Sequence, residues 1–432
     1  MRRIALAGAA VTAGLAVAVA GIAGCGSAGD QADAGPTARV PARQLGRSVA
    51  DAYVFLDQMM DSYAAGSIPR LVQSFTGGVL GRRRFTASEI YDDAVVIDAY
   101  LAEDIPAGTS RAEAIGNALL YVQANDPAHD GRLRAAYAPA PLRRPADITI
   151  TDPATAAGDA AWAGVALIQL YAAAGRKAFL AGAEEIGNWV QAHCYDSRGP
   201  GGYTGGETAG GQKIEWKSTE HNIDLYALFR LLAAETRDPA WSARAAWAKR
   251  FIAGMWDPRQ GRFYVGTTSD GRTLNDSVLP EDVNTWSYLA LRDPSYAASP
   301  GWDARNLAVT VDGFSGISFC RADRTGIWYE GTAHLADALE FRGESGDAAQ
   351  AARYLAGIYH AQAHGPGADG LGIIDASRNG LGDCGGGTYY ASLHTGTTAW
   401  YILAAKKTDP FTLIVVSRGT APAANAAATG PV

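Results

Sequence analysis

The stretch K-I-E-W-K-S-T-E-H-N-I-D-L-Y-A-L-F, from Lys213 to Phe229, decides how this chain is read. Beyond Thr219 it has helical spacing but turns apolar on nearly every side, and a helix that is greasy all round must be buried. Its mouth is crowded with Glu215, Trp216, Glu220, His221 and Asp224. Ionisable groups at the entrance of a buried helix are costly unless they have a task. Five other segments open in a related way: E-I-Y-D-D at Glu89–Asp93, G-D-A-A-W at Gly158–Trp162, E-D-V-N-T-W at Glu281–Trp286, W-Y-E-G-T at Trp328–Thr332 with His334, and H-T-G-T-T at His394–Thr398.

Working outward, two kinds of helical segment alternate. One kind is amphipathic: Val49–Ala64, Ser110–Ala124, Lys177–His193, Ala240–Met255 and Asp347–Ala361, with a short sixth expected at Trp302–Val311. The other is uniformly apolar: Ile90–Ala102, Asp159–Ala173, Thr219–Ala234, Asp282–Leu291, Tyr329–Phe341 and Thr395–Ala405. Alternation of this kind describes two concentric layers, polar-faced helices outside and apolar ones lining the middle. The expected fold is all-α, an (α/α)6 toroid of six helical hairpins with long Gly/aromatic-rich loops at one end. A toroid gathers the acid-bearing helix mouths into one bowl, whereas an open solenoid spreads them along a ridge. The long loops Phe75–Arg84, Gly199–Gly211, Gly261–Gly271 and His364–Gly387 precede the apolar helices, and a short β-ribbon is expected around Arg262–Val265.

A bowl of carboxylates and indoles suits a carbohydrate, since Trp faces stack on sugar rings and carboxylates accept from hydroxyls. Acids in a first turn also serve the helix dipole, and Ser218 or Thr219 is an ordinary cap. That account covers Asp159 and Glu281, but not the aromatics and histidines beside the acids.

The N-terminus reads as an export signal over residues 1–24, basic Arg2-Arg3 followed by an apolar run, and its I-A-G-C ending resembles a lipobox that would place a lipid on Cys25. Residues 25–44 read as a flexible tether, 45–410 as the catalytic domain and 411–432 as a C-terminal tail. The expected location is extracytoplasmic, on a membrane lipid anchor. Removing the signal takes the formal charge from -7 to -9, because only Arg2 and Arg3 are lost. With no basic cluster, nucleic acid is excluded as a partner. No metal or other cofactor is expected: there is no Cys/His cluster of zinc spacing. The chain is expected to act as a monomer. Cys320–Cys384 is the favoured disulfide, leaving Cys194 as a buried thiol.

The openings Y-D-D-A at Tyr91–Ala94, S-T-E-H-N-I-D-L-Y at Ser218–Tyr226, E-D-V-N-T-W and W-Y-E-G-T-A at Trp328–Ala333 resemble those of the six-hairpin glycosidase superfamily, over about Val49 to Lys407. The resemblance implies hydrolysis of a glycosidic bond, usually with inversion, by one carboxyl that protonates the leaving oxygen and one that activates water. On that reading Glu220 is the general acid, with Glu330 or Asp93 as base. Gly331 would leave Glu330 open to approach. Asp92, His221, Asp282 and His394 would bind hydroxyls. Trp216, Trp286 and Trp328 would be sugar platforms and Tyr329 a further contact, whereas Trp162 reads as core. Two alternatives carry less: a polysaccharide lyase, for which the bowl is poor in Arg and Lys, and a non-catalytic glycan-binding lipoprotein.

Overall fold

The computed structural model describes residues 39–416. The signal, Cys25, most of the tether and Ser417–Val432 lie outside the described residues. Thirteen α-helices are present among the described residues. Six form an inner ring: α3 (Ile90–Glu103), α5 (Ala157–Ala174), α7 (Thr219–Thr236), α9 (Asp282–Leu291), α11 (Tyr329–Arg342) and α13 (Thr395–Lys406). Six lie outside it: α1 (Ala42–Asp61), α4 (Pro106–Ala124), α6 (Lys177–His193), α8 (Pro239–Gly254), α10 (Ala298–Asn306) and α12 (Asp347–His364). The thirteenth, α2 (Gly78–Arg82), is a single turn in the loop before α3.

Each inner helix packs on the next, and α13 returns against α3, so the ring closes. Each outer helix covers one inner helix, with α1 at the start of the chain covering α13 at its end. This is the (α/α)6 toroid. The sequence explains the layering: in α5 every residue from Ala160 to Leu170 is buried, while α6 buries only the stripe that includes Phe179, Ala183, Ile186 and Val190. All six inner helices stop on a left-handed residue: Asp104, Gly175, Arg237, Arg292, Gly343 and Lys407. A left-handed cap ends a helix within one residue, which suits a tight return to the next outer helix. Only two of the six are glycines, so the repeat is muted in the sequence.

Several boundaries move. Helix α1 begins at Ala42, inside the expected tether. Helix α10 ends at Asn306, and Ala308–Val311, expected as helix, pairs with Phe314–Ile317 in an antiparallel hairpin. The ribbon expected near Arg262 is present, Trp256–Asp257 pairing with Arg262–Phe263. The chain is not a tail at residue 411. Phe411 is buried, and the Gln169 amide donates to Pro410 O and Thr412 O and accepts from Ile414 N. Residues 409–414 thereby plug the far end of the toroid. Cys320 and Cys384 are joined and Cys194 is a buried free thiol, as favoured from the sequence. No helix among the described residues is long and apolar enough to cross a membrane.

Candidate active site

The inner helices start at one end of the ring, and the loops that feed them are stitched to their first turns. Asn222 accepts from Tyr203 N at 2.9 Å and donates to Tyr203 O at 3.0 Å. At the same turn of other inner helices, Asn284 accepts from Phe263 N, Thr332 from Ile317 N, Thr398 from Ile373 N, and Asp93 from Val72 N at 2.8 Å. Asp93 is therefore the counterpart of neutral residues that pin loops. Its second oxygen accepts from the Ser88 hydroxyl at 2.7 Å, and the carboxyl is fully buried. Burial pushes it up to about 8 despite those bonds. The expectation that Asp93 acts as base is corrected accordingly: both oxygens are committed to the scaffold.

Lys217, in the stretch quoted first, plays a related part. Its buried ammonium donates to Arg198 O and Gly201 O and pairs with Asp196 at 3.1 Å, ordering the Gly-rich loop before α7.

Two residues past the caps of α3, α7 and α11 stand Tyr91, Glu220 and Glu330. One turn deeper come Trp162, Trp286, Trp400 and His334. Trp162 lies 5.2 Å from Trp286 and 5.8 Å from Trp400, centroid to centroid, with Phe411 at 5.0 Å behind it. These rings are buried and form a floor. Trp286 is thus corrected from sugar platform to core. Trp328 is corrected likewise: it is 5% exposed, donates from Nε1 to Asp375 at 3.2 Å and stacks on Tyr389. Gly331 does not open an approach to Glu330, because a Cβ there would run into the Trp328 ring. Tyr329 is buried in the main core, and the charge acting on its phenol is Asp312 on the 308–317 hairpin, so it is not a bowl contact. Trp216 remains half-exposed beside His221, at 5.6 Å between ring centroids.

In the bowl, Glu330 is the carboxylate held by the most side chains. It accepts from the Tyr91 hydroxyl at 2.6 Å and from Thr397 Oγ1 at 3.3 Å, and the Trp400 indole in turn donates to Tyr91. His394 Nδ1 lies 3.3 Å and His334 Nε2 3.7 Å from its oxygens. Burial alone would raise Glu330, but the His334 and His394 imidazoles beside it hold it well below the usual carboxylate range. His394 is raised against the opposing effect of burial, chiefly by Asp92, whose oxygens lie 3.1 and 3.2 Å from Nε2. Asp92 is fully buried on that imidazole and orients it, a correction to its expected role on substrate hydroxyls. Gly396 is required here, since a Cβ would strike Asp92 Oδ1. His334 is pushed up to about 9 by Glu281, 3.0 Å away, and by Glu330, although burial opposes it. Glu330, Asp375 and His394 bring donor atoms within 4.8 Å of one another, the one such group of three among the described residues that could hold a metal ion.

Across the bowl the picture reverses. Glu220 and Asp159 are half-exposed and their carboxylates make no hydrogen bond or ion pair. Burial first, then the charges of Asp282, Asp224, Asp159 and Glu330, raise Glu220 well above its ordinary value. Burial and the charges of Asp152 and Asp92 push Asp159 to about 7. Asp282, between Glu220 and Glu330, is also raised to about 7, by burial and Glu281, and accepts only from Val283 N. Burial drops His221 to about 4, so it is neutral.

Sequence reasoning passed over Asp375, Tyr91, His334 and Glu281 as parts of the site. Asp375 comes from a loop with no helical period, and His334 was visible only as an imidazole one turn past Glu330.

No protein-family model and no curated protein matches the sequence. Solved structures do. A D-mannose isomerase superposes with a TM-score of 0.62 at 12% identity, covering 85% of this chain and 98% of that one. A cellobiose 2-epimerase from Bacillus thermoamylovorans gives 0.62 at 10% identity, covering 84% and 98%. A glycosidase variant in complex with glucose gives 0.57 at 13% identity, covering 85% and 97%. At such identities the likeness establishes the fold alone, an (α/α)6 toroid.

Proposed function

We propose that this chain is a carbohydrate-active enzyme that hydrolyses a glycosidic bond in the bowl, with inversion. Glu220 is the general acid and Glu330 the base that orients and activates water. The observation that carries this is the opposite treatment of two carboxyls at equivalent depth on next-but-one inner helices: Glu220 is pushed up by burial and neighbouring acids, Glu330 is held down by two imidazoles. Environments that drive two carboxyl groups apart are how one site supplies both an acid and a base near neutral pH. Asp282 and His221 bind hydroxyls and Trp216 is the platform. His394 and His334 keep Glu330 ionised. Glycosidases of this fold, one of them with glucose bound, add support.

A second reading is proton transfer on a reducing sugar, isomerisation or epimerisation, with His394 as the acid–base group backed by Asp92. The His394–Asp92 pair favours it, as do an isomerase and epimerases among the structural neighbours. Purified protein incubated with bacterial and environmental glycans, and separately with reducing mono- and disaccharides, decides. New reducing ends that vanish in Glu220→Gln support hydrolysis. A changed sugar without new ends supports the second reading, and ultraviolet absorbance signals lyase cleavage. No change on any sugar sinks both readings. We also propose that Cys25 carries a lipid that holds the chain at the membrane; Cys25→Ala should release the protein to the medium, and retention would contradict the anchor.

A further inference from the structure

The wall that holds Glu330 is roofed by a second, smaller core. Phe319, Cys320, Trp328, Ala376 and Leu381 pack together apart from the main core, with Val278, Cys384 and Tyr389 at their edge. Three loops meet there. Cys320 bridges to Pro280, just before α9, and Glu281 N donates to Phe319 O at 2.9 Å. From the loop before α13 rises a hairpin in which Leu381–Gly382 pairs with Thr388–Tyr389. Its Tyr389 ring stacks on Trp328 at 5.3 Å and meets Phe319 at 5.4 Å, centroid to centroid. Trp328 in turn donates to Asp375 Oδ1, which lies 3.8 Å from His394 Nδ1. Burial raises the Tyr389 phenol, and so do the charges of Asp375, Asp383, Asp282 and Glu330, which sets the ring over the acids of the bowl.

The hairpin tip is tied to the loop before α11 by the Cys320–Cys384 crosslink and by a hydrogen bond from Gly382 N to Asp323 at 2.8 Å. Bonds from Gly385 N and Gly387 N to Asp383 stay within the tip. Cys384 stands in the left-handed region, φ 60°, ahead of Gly385-Gly386-Gly387. A residue with a side chain keeps such a conformation only where its surroundings impose it, and glycines beside it let the chain relax once they do not. Cys320 is fully buried, whereas Cys384 is half-exposed and open to attack. We infer that this crosslink is a thiol-sensitive latch, which clamps the hairpin on Trp328, positions Asp375 beside His394 and Glu330, and frees the hairpin when cut. The inference rests on that wall's being catalytic, as proposed above. A dithiol cuts the latch by exchange. One of its thiolates attacks Cys384 Sγ, the S–S bond breaks, and Cys320 leaves as a thiolate that takes a proton. The second thiol of the reductant then displaces Cys384 as a thiol, and the reductant closes into a disulfide. Two electrons have passed to the protein.

The test is hydrogen exchange by mass spectrometry, before and after dithiothreitol and in Cys320→Ser/Cys384→Ser. The Trp328 indole N–H is followed beside it by nitrogen-15 NMR and assigned with Trp328→Phe. Amides of residues 379–390 and the Trp328 indole should exchange at least about tenfold faster in the reduced protein and in the double variant, while α5 keeps its protection. Reoxidation should restore the slow rates in wild type. Unchanged rates, acceleration confined to residues 383–387, loss of protection in α5 as well, or no recovery on reoxidation overturns the inference. On a glycan that the protein cleaves, reduction should lower kcat at least about tenfold and leave KM within about twofold; an unchanged kcat also overturns it. Exchange reads the wall and not the chemistry, so the two ideas separate. A latch that opens in a protein that cleaves nothing sinks the hydrolase reading alone, and cleavage by a protein whose latch does not open sinks this one alone.

Discussion

The two walls of the bowl are built from the same residue types and treat them in opposite ways. On the α11–α13–α3 side, Glu330, Asp92 and His394 are joined in one network that also takes in Tyr91, Thr397, Trp400 and His334. On the α5–α7 side, Asp159, Glu220 and Asp224 have no partners. Glu330 and Asp92 on the first wall are held by neighbouring side chains; the acids of the second are not. A satisfied polar network rigidifies a fold, whereas unpaired buried acids cost stability and persist where a site needs them.

The contrast breaks most visibly at the catalytic carboxyls. Glu220→Gln and Glu330→Gln should each lower kcat/KM by about 10²–10⁴-fold. Only Glu330→Gln should also lower the melting temperature, because it strips the counter-charge from His334 and His394. Equal destabilisation by both would erase the difference between the walls. Next in size, His394→Ala leaves Asp92 buried and unpaired and should cost about 3–5 kcal/mol in denaturant unfolding. A loss within about 0.5 kcal/mol would show that the network is not a structural unit.

On the open wall the sign inverts. Asp224 is raised in the folded state by burial and by Asp282 and Asp159, so it destabilises the fold above its unfolded value and ceases to do so as pH falls toward that value. Asp224→Asn should therefore stabilise the protein by about 1–2 kcal/mol near pH 7.5, with the gain fading toward about pH 4. A loss at neutral pH would mean that the carboxylate has a partner after all. The smallest effect belongs to Asp93. Asp93→Asn should stay within about 1 kcal/mol of wild type and keep activity, since asparagine does the same task at position 222, while Asp93→Leu should cost about 1–3 kcal/mol. Loss of activity in Asp93→Asn with the fold intact would restore Asp93 as base.

The ring was legible because a helix buried on all sides, such as α5, and one with a single buried stripe, such as α6, differ in pattern at a glance. The helix mouths gave Glu220 and Glu330 for the same reason. What the pattern does not carry is direction. Asp92 and Asp93 are neighbours in sequence, yet one orients His394 and the other pins the loop at Val72. The clue was present in the company Asp93 keeps at its turn, Asn222, Asn284, Thr332 and Thr398, which are neutral acceptors. Asp375 arrives from an irregular loop, and Phe411 closes the ring from a segment too short to show a period. Long-range contacts of that kind are fixed by closure of the toroid, which no local window contains.

The central claim is that one bowl holds a protonated Glu220 opposite an ionised Glu330. Carbon-13 NMR of protein labelled at glutamate carboxyls, titrated with the Glu220→Gln and Glu330→Gln variants as assignments, reads both directly. One carboxyl should titrate well above the ordinary glutamate value and be missing from Glu220→Gln, and one should titrate well below it and be missing from Glu330→Gln. Two carboxyls titrating together at the ordinary value near 4.3 would contradict it.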